Sequence, residues 1–364
     1  MKTFFLHSKL LLVLLASFIF VQTASAQVLL STEQTKKNFM DEMKTKYHFE
    51  KKQIENWLSQ AHCEKKILEQ VSAPYEKSNW DVYRSHFVNE ARIKDGVVFW
   101  QAHAATLALA EKTYGVPAYI IIGILGVETD YGKTPLPYRA IDALDTLAFY
   151  YPPRSEFFKN ELEQYFLLTK EQHLSPLILR SSYAGALGVP QFMPSSYRDY
   201  AVHARQYQHA DLENHIDDAI LSIANYLNEK GNWWAFHPTA TRAILKPNPK
   251  NKNADALKKL VSTDPTPQHS LAYYEQYGIY PADKISPKRE VSLIALSSSG
   301  STEYWFVFHN FNAIMRYNNN IGYAMVVYQL GQAVQNAGLL HDVKKHTTAR
   351  TSRTRSNSTS ARRS

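Results

Sequence analysis

Residues Gly123–Gly132, GILGVETDYG, set one carboxylate, Glu128, behind the apolar run Tyr119–Val127. A run that apolar has to be covered by the rest of the chain. A carboxylate carried with it leaves water only if it is paired or its ionisation changes. The local pattern predicts a helix: Pro117 suits a first helical position, Ile121, Leu125 and Glu128 fall on one face, and Gly132 is the expected stop. Glu128 then lies near the helix C-terminus, whose partial negative charge disfavours an anion. Apolar neighbours and that dipole both push a carboxyl pKa upward, the condition for a general acid working near neutral pH. The plainer alternative is a Glu at a helix end, hydrogen-bonded to local backbone.

The two ends of the chain bound its setting. Residues 1–26 combine a basic start, an apolar run from Leu10 to Val21 and the closing Ala24-Ser25-Ala26, the pattern of a cleaved signal peptide. The run is short for a membrane span, and no Cys follows it to carry a lipid, so the expected product is soluble and periplasmic. Cys63 is the only cysteine, which excludes an intramolecular disulfide and leaves stability to packing. The formal charge of +8 is confined to the ends. Lys2 and Lys9 lie in the leader, and seven Lys and Arg against Asp342 lie after His341. Residues 27–341 are therefore neutral and show no footprint for nucleic acid. The Ser/Thr/Arg-rich tail 342–364 is expected to be disordered. Its functional reading is weak contact with anionic envelope surfaces, and its simpler one is a solvated extension.

Length suggests about two domains, with 45% hydrophobic residues as material for a core. Helices are predicted within 31–70, opened by the capping-box pattern Ser31–Gln34, and over Gln101–Tyr114, Arg139–Phe149, Glu156–Lys170, Asn214–Lys230 and Tyr323–Ala337. Pro152-Pro153 breaks the chain between two of them. Residues 237–290 are Pro-rich with few periodic apolar runs, while Val291–Leu296 and Glu303–His309 flank SSSGST as a β-hairpin. No internal repeat is present. The expected class is α+β, mostly helical.

A second segment, SSYAGALGVPQFMPSSY at Ser181–Tyr197, joins small residues, two prolines and Gln191 in one loop suited to orienting a polar polymer. With GVETDYG, it resembles the B family of lytic murein transglycosylases. The resemblance extends to W-x-x-Y-R-x-x-F at Trp80–Phe87, DGVVFW at Asp95–Trp100 and YGVPAYIIIGILGVETDYG at Tyr114–Gly132. It continues through DALDTLAFYYPPRSEFF at Asp142–Phe158, DDAILSIANYL at Asp217–Leu227 and FNAIMRYNNNIGYAMVVYQL at Phe311–Leu330. These ordered blocks span about residues 75–335.

The resemblance implies a lysozyme-like catalytic core at 116–236, after the signal peptide 1–26 and an N-terminal helical region 27–115. A Pro-rich and β-hairpin insertion at 237–310, a C-terminal helix returning at 311–341 and the basic tail 342–364 would follow. It also implies roles: Glu128 as the single catalytic acid/base, and Ser182 and Gln191 lining the glycan cleft. Tyr83, Tyr226, Tyr317, Asn318 and Tyr323 would shape the sugar subsites or contact the Glu. Arg154 would face the stem peptide, with Pro153 standing where relatives carry a second Arg. The implied partner is the glycan strand of peptidoglycan, and no cofactor is implied. Some family members hold calcium in an Asp-rich loop after QFMPSSY. Here that stretch is VHARQYQHADLENHID, which lacks the clustered oxygen ligands and the turn glycine, so no metal site is expected. His203, His209 and His215 recur at six-residue spacing, wider than helical ligand pairs, and read as solvent-facing.

Glycoside cleavage commonly takes two carboxylates. Asp130 is expected to point away from Glu128, and Asp142 and Asp145 read as a cap and a surface charge. The family's reaction needs no second acid, because the C6 hydroxyl of the muramyl sugar attacks C1 and leaves a 1,6-anhydro end. The competing readings are a hydrolytic muramidase in the same cleft and a non-catalytic wall-binding scaffold.

Overall fold

The computed structural model describes residues 32–72, 79–204, 209–248, 250 and 254–339. The leader, Ser31 of the capping box and the tail 342–364 lie outside the described residues. The chain forms two compact units. The first takes in the described residues up to 72 with Pro137–Ala186 and Met193–Ser195, and the second holds the remainder.

Helices α1 (32–47), α2 (Lys51–Ser59) and α3 (Lys65–Ser72) open the first unit. The chain then builds α4 (Trp80–Phe87), α5 (Glu90–Ala102), α6 (Ala104–Tyr114) and α7 (Ala118–Thr129) in the second. It returns to the first for β1 (Tyr138–Arg139), α8 (Ala140–Tyr150), a 3-10 turn at Pro152–Arg154, α9 (Ser155–Glu171) and β2 (Arg180–Ser181). Helix α10 (Pro194–Tyr200) leads back to α11 (Ile216–Glu229), β3 (Ala240–Leu245), α12 (Ala254–Leu260), β4 (His269–Ser270), α13 (Leu271–Glu275) and β5 (Ile279–Pro281). The second unit closes with β6 (Glu290–Ser298), β7 (Ser301–Val307), α14 (His309–Met315) and α15 (321–339).

In the first unit, α8 and α9 are split by Pro152-Pro153 as the sequence predicts, because proline cannot continue α8. Their apolar faces meet α1 and α2 through Phe39, Trp57 and Phe166, with Trp57 stacked on Phe166 at 5.3 Å. Asp142 is buried and gripped by Arg139 at 2.6 Å, and it also accepts from the N–H of His62 at 2.9 Å. Asp145 departs from the sequence expectation. It is a buried partner of Lys36 at 2.8 Å, not a surface charge, since its helix is covered on nearly every side.

Helix α7 is the spine of the second unit. It is apolar all round and nine of its residues are buried, the pattern of a helix wrapped by protein on every face. Gly115, left-handed at φ 69°, ends α6 and lets the chain turn into α7. Glycine also sets how α15 crosses α7. A Cβ on Gly123 would lie 2.1 Å from the carbonyl oxygen of Val327, and one on Gly331 would lie 2.0 Å from that of Tyr119. Both helices therefore meet backbone to backbone. No single described helix is long and apolar enough to cross a membrane.

The predicted hairpin exists, and its strands run through the SSSGST segment to pair Ser298 with Ser301. It is also part of something larger. An antiparallel five-stranded sheet of order β4-β6-β7-β3-β5 draws three strands from the Pro-rich stretch that the sequence leaves without pattern. Two of these, β4 and β5, are two and three residues long, too short to show a period of two. Pairing and a shared core of Leu271, Tyr274, Leu293, Phe306 and Phe308 hold them instead.

Candidate active site

Helix α7 stops at Thr129, three residues before the expected Gly132. Asp130 (φ 49°), Tyr131 (φ 61°) and Gly132 (φ 85°) are all left-handed. The N–H groups of Asp130 and Tyr131 both donate to the carbonyl of Leu125, closing the helix end. Thr129 pins the turn by donating to the carbonyl of Val189 at 2.9 Å and accepting from the N–H of Gly132 at 3.1 Å. Two non-glycine residues in that conformation cost about 1–3 kcal/mol each. Burial of the Tyr131 ring offsets this. Cβ atoms on Gly96 or Gly126 would lie 2.5 and 2.7 Å from its hydroxyl, so those glycines form the slot it occupies. Arg92 stands 3.5 Å from Asp130 and ties the turn to α5.

Glu128 is half-buried in the last turn of α7, and its Oε1 accepts a 2.5 Å hydrogen bond from the hydroxyl of Tyr323. The glycine contacts explain how residues so distant in sequence meet. Tyr119 opposes Gly331 and Gly123 opposes Val327, so α7 and α15 run antiparallel in four-residue steps. One further step pairs Val127 with Tyr323, and the Tyr323 hydroxyl reaches the next residue, Glu128. Asn320 caps α15 by accepting from the N–H of Tyr323 at 3.0 Å, which sets the rotation of its first turn. Burial, and then the charge of Glu128, hold the Tyr323 phenol well above its ordinary pKa, so it stays a neutral donor.

Aromatic side chains stand around this pair. The Tyr226 ring packs on Tyr317 (5.0 Å) and Phe192 (5.4 Å), and its hydroxyl donates to the carbonyl of Arg316. Burial pushes the Tyr226 pKa up to about 12. Tyr317 donates to the carbonyl of Pro190 at 2.5 Å, and its pKa too is raised, by burial and then by Glu128. That bond fixes the stretch carrying Gln191, itself left-handed at φ 54°, whose amide nitrogen donates to Gly188 at 2.9 Å. Tyr83 is buried beside Gly322, and Asn318 is half-buried in the turn ahead of α15. Glu128, Tyr83, Gln191, Tyr226, Tyr317, Asn318 and Tyr323 all belong to the second unit.

Ser182 and Arg154 belong to the first. Ser182 closes a tight turn, its N–H donating to the carbonyl of Ala186 at 3.0 Å and its hydroxyl accepting from the N–H of Ala186 at 3.3 Å. Arg154 is exposed, with its guanidinium 4.3 Å over the ring of Phe157.

The sequence model of the transglycosylase SLT domain matches residues 31–332, most of the chain and every element of the Glu128 site. The chain belongs to this transglycosylase family. It is 37% identical to the membrane-bound lytic murein transglycosylase B of Escherichia coli K12 over 306 residues, 81% of each chain. Among solved structures, the soluble lytic transglycosylase SltB1 of Pseudomonas aeruginosa superposes with a TM-score of 0.76 at 38% identity. That match covers 83% of this chain and 99% of SltB1. The Escherichia coli lytic transglycosylase Slt35, solved in complex with calcium, gives 0.73 at 35% identity over 84% and 93% of the two chains. The mostly helical, lysozyme-like α+β fold is that of the SLT family.

Slt35 was solved with calcium, and in this chain the described acids of the stretch after α10 are engaged otherwise. Both oxygens of Asp211 accept from Asn214, and Oδ1 also accepts from the N–H of Glu213. Both oxygens of Asp218 accept backbone N–H groups, from Ala204 and Asp211. These carboxylates face their own backbone, which does not fit a hard cation needing six to eight oxygens. Among the described residues, no three His, Cys, Asp or Glu converge as metal ligands.

Sequence reasoning missed Arg92, Tyr131 and the glycine contacts of α7 with α15. The signal was present as Gly123 and Gly126 inside an apolar helix, where glycine lowers helix stability unless something approaches closely.

Proposed function

We propose that the chain is a lytic murein transglycosylase in which Glu128 acts first as general acid and then as general base. The observation that carries this reading is the Tyr323–Glu128 hydrogen bond at the end of a buried helix, which fixes one carboxyl group against a neutral donor. In the first step, Glu128 gives its proton to the oxygen that links C1 of N-acetylmuramic acid to the next sugar, and that bond breaks. The sugar's N-acetyl group eases the positive charge developing at C1. Glu128, now a carboxylate, takes the proton of the C6 hydroxyl as that oxygen bonds to C1. The acid form is restored and a 1,6-anhydro end is left. The nucleophile belongs to the same sugar, so its effective concentration is high without water.

The acids that follow Glu128 most closely in sequence support a single-carboxylate mechanism because each is engaged elsewhere. Asp130 faces Arg92, Asp142 is held by Arg139, and Asp145 by Lys36. Tyr83, Gln191, Tyr226, Tyr317 and Asn318 are proposed to shape the glycan site around Glu128. Ser182 and Arg154 are proposed to contact glycan and stem peptide. The leader 1–26 would place the enzyme in the periplasm.

Digestion of purified murein followed by mass spectrometry of the released muropeptides tests the reaction. Anhydro ends are expected, and reducing ends would identify a hydrolytic muramidase instead. Glu128→Gln is expected to release no soluble muropeptide while keeping its fold. Release at the wild-type rate would remove Glu128 from the chemistry and favour a different site.

A further inference from the structure

A cavity of about 450 Å³ opens in the second unit between the loop after α11 and the turn before β6. Its lining includes Trp234, His237, Lys288, Arg289, Glu290 and His309. It lies at the opposite end of α7 from Glu128. Trp233 donates to the carbonyl of Gly115, and Ala235 packs on Gly115, so the loop sits at the start of that helix. Twelve helical residues separate the two ends, roughly 18 Å.

The loop is held in an uncommon shape. Asn232 (φ 56°) and Phe236 (φ 63°) are left-handed, a cost that folded proteins retain mainly where the surroundings impose it. Asn310, fully buried, fixes the loop: its Oδ1 accepts from the N–H of Trp234, and its Nδ2 donates to the carbonyls of Trp234 and His237. The result presents aromatic surface to solvent. Trp234 is 45% exposed and stacks on His309 at 3.8 Å, His309 being anchored to the carbonyl of Asn232, and Phe236 is wholly exposed. Beside this platform, Arg289 donates to Nδ1 of His237 at 2.9 Å. An arginine only donates, so Nδ1 is the acceptor and Nε2 carries the hydrogen. Burial, and then the charge of Arg289, hold the His237 pKa below its ordinary value, in keeping with a neutral ring. Among the described residues, neither Lys288 nor Arg289 makes an ion pair. Glu290 is the one acid of the lining, so the cations are in excess.

We infer that this cavity binds an acidic sugar, its apolar ring face against Trp234 and its anion toward Lys288 and Arg289. The volume lies in the range of small-molecule sites, and a few convergent polar groups on an aromatic wall are their usual composition. An anion alone would not require the fixed aromatic platform, and a neutral sugar would not require two unpaired cations. A carboxylate-bearing muramyl sugar and a phosphate-bearing sugar share this chemistry. The site is independent of the chemistry at Glu128 and gives the enzyme a second hold on acidic saccharide.

Titration of the intact protein, followed by NMR at the Trp234 indole N–H, tests this. The resonance is identified by its loss in Trp234→Phe. The probes are N-acetylmuramic acid, glucose 6-phosphate and neutral N-acetylglucosamine. At least one acidic sugar is expected to shift the Trp234 signal and saturate it, with N-acetylglucosamine about tenfold weaker or more. Which acidic sugar binds identifies the anion. The Lys288→Gln/Arg289→Gln double variant is expected to lose about tenfold in affinity. If that variant loses stability, Lys288→Gln alone, at an exposed position, is expected to show a smaller loss of the same sign. Glu128→Gln is expected to bind unchanged, which separates this site from the catalytic reading. A silent Trp234 signal, an equal response to neutral and acidic sugars, or full affinity in the charge variants would overturn the proposal.

Discussion

Tyr323 shows at a single residue why the carboxyl group at position 128 is unlike a surface glutamate. Its hydroxyl is a buried donor 2.5 Å from Oε1, and removing it leaves the carboxyl without its orienting partner. Hydrogen bonds to charged groups contribute about 1.5–3 kcal/mol. Tyr323→Phe is therefore expected to lower kcat on murein roughly 10- to 100-fold with little change in melting temperature. An unchanged kcat would assign the tyrosine to packing alone. His237 gives a second test at this scale. Its folded pKa lies below 6.5, so between 6.5 and that lower value the unfolded chain binds more protons than the folded one. The stability it contributes is whole above pH 6.5 and is lost as pH falls through the folded value. Proton NMR of its imidazole is expected to give a midpoint below 6.5, and His237→Asn is expected to flatten that part of the stability profile.

At the scale of elements, the geometry around Glu128 depends on how closely two helices approach. A methyl group at Gly331 would sit 2.0 Å from the Tyr119 carbonyl oxygen, and one at Gly123 would sit 2.1 Å from that of Val327. Neither backbone can yield without moving its helix. Gly331→Ala is expected to cost about 1–3 kcal/mol or more, measured by urea unfolding, and to reduce muropeptide release more than lost stability explains. A stable and fully active variant would show that the register has another source. Much at this scale was legible in the sequence. The long periodic helices α8, α9, α11 and α15 lie where apolar spacing, prolines and glycines put them, within about two residues. What escaped was set by contacts distant in the chain. Helix α7 ends early because Tyr131 fits between Gly96 and Gly126, and the short strands of the Pro-rich stretch exist through their partners. Glu128 was legible as a carboxylate out of place, but only the family resemblance, and no spacing or periodicity, pointed to Tyr323, 195 residues away.

For the whole molecule, charge and burial point in separate directions. Residues 27–341 carry no net charge, while the segment after His341 is strongly basic. Removing residues 342–364 is expected to abolish salt-sensitive adsorption to anionic vesicles and leave muropeptide release intact. Adsorption that persists without the tail would move the cationic surface into the body. Glu128 and Tyr323 also stand far apart in the order of synthesis. Glu128 is synthesised 195 residues ahead of Tyr323 and of the helix that presses it into place. A nascent chain that has passed residue 128 but not residue 323 carries the acid without its clasp. With Glu128 in its proposed role, a lytic murein transglycosylase is thus armed late, by the closing of the helix that carries Tyr323.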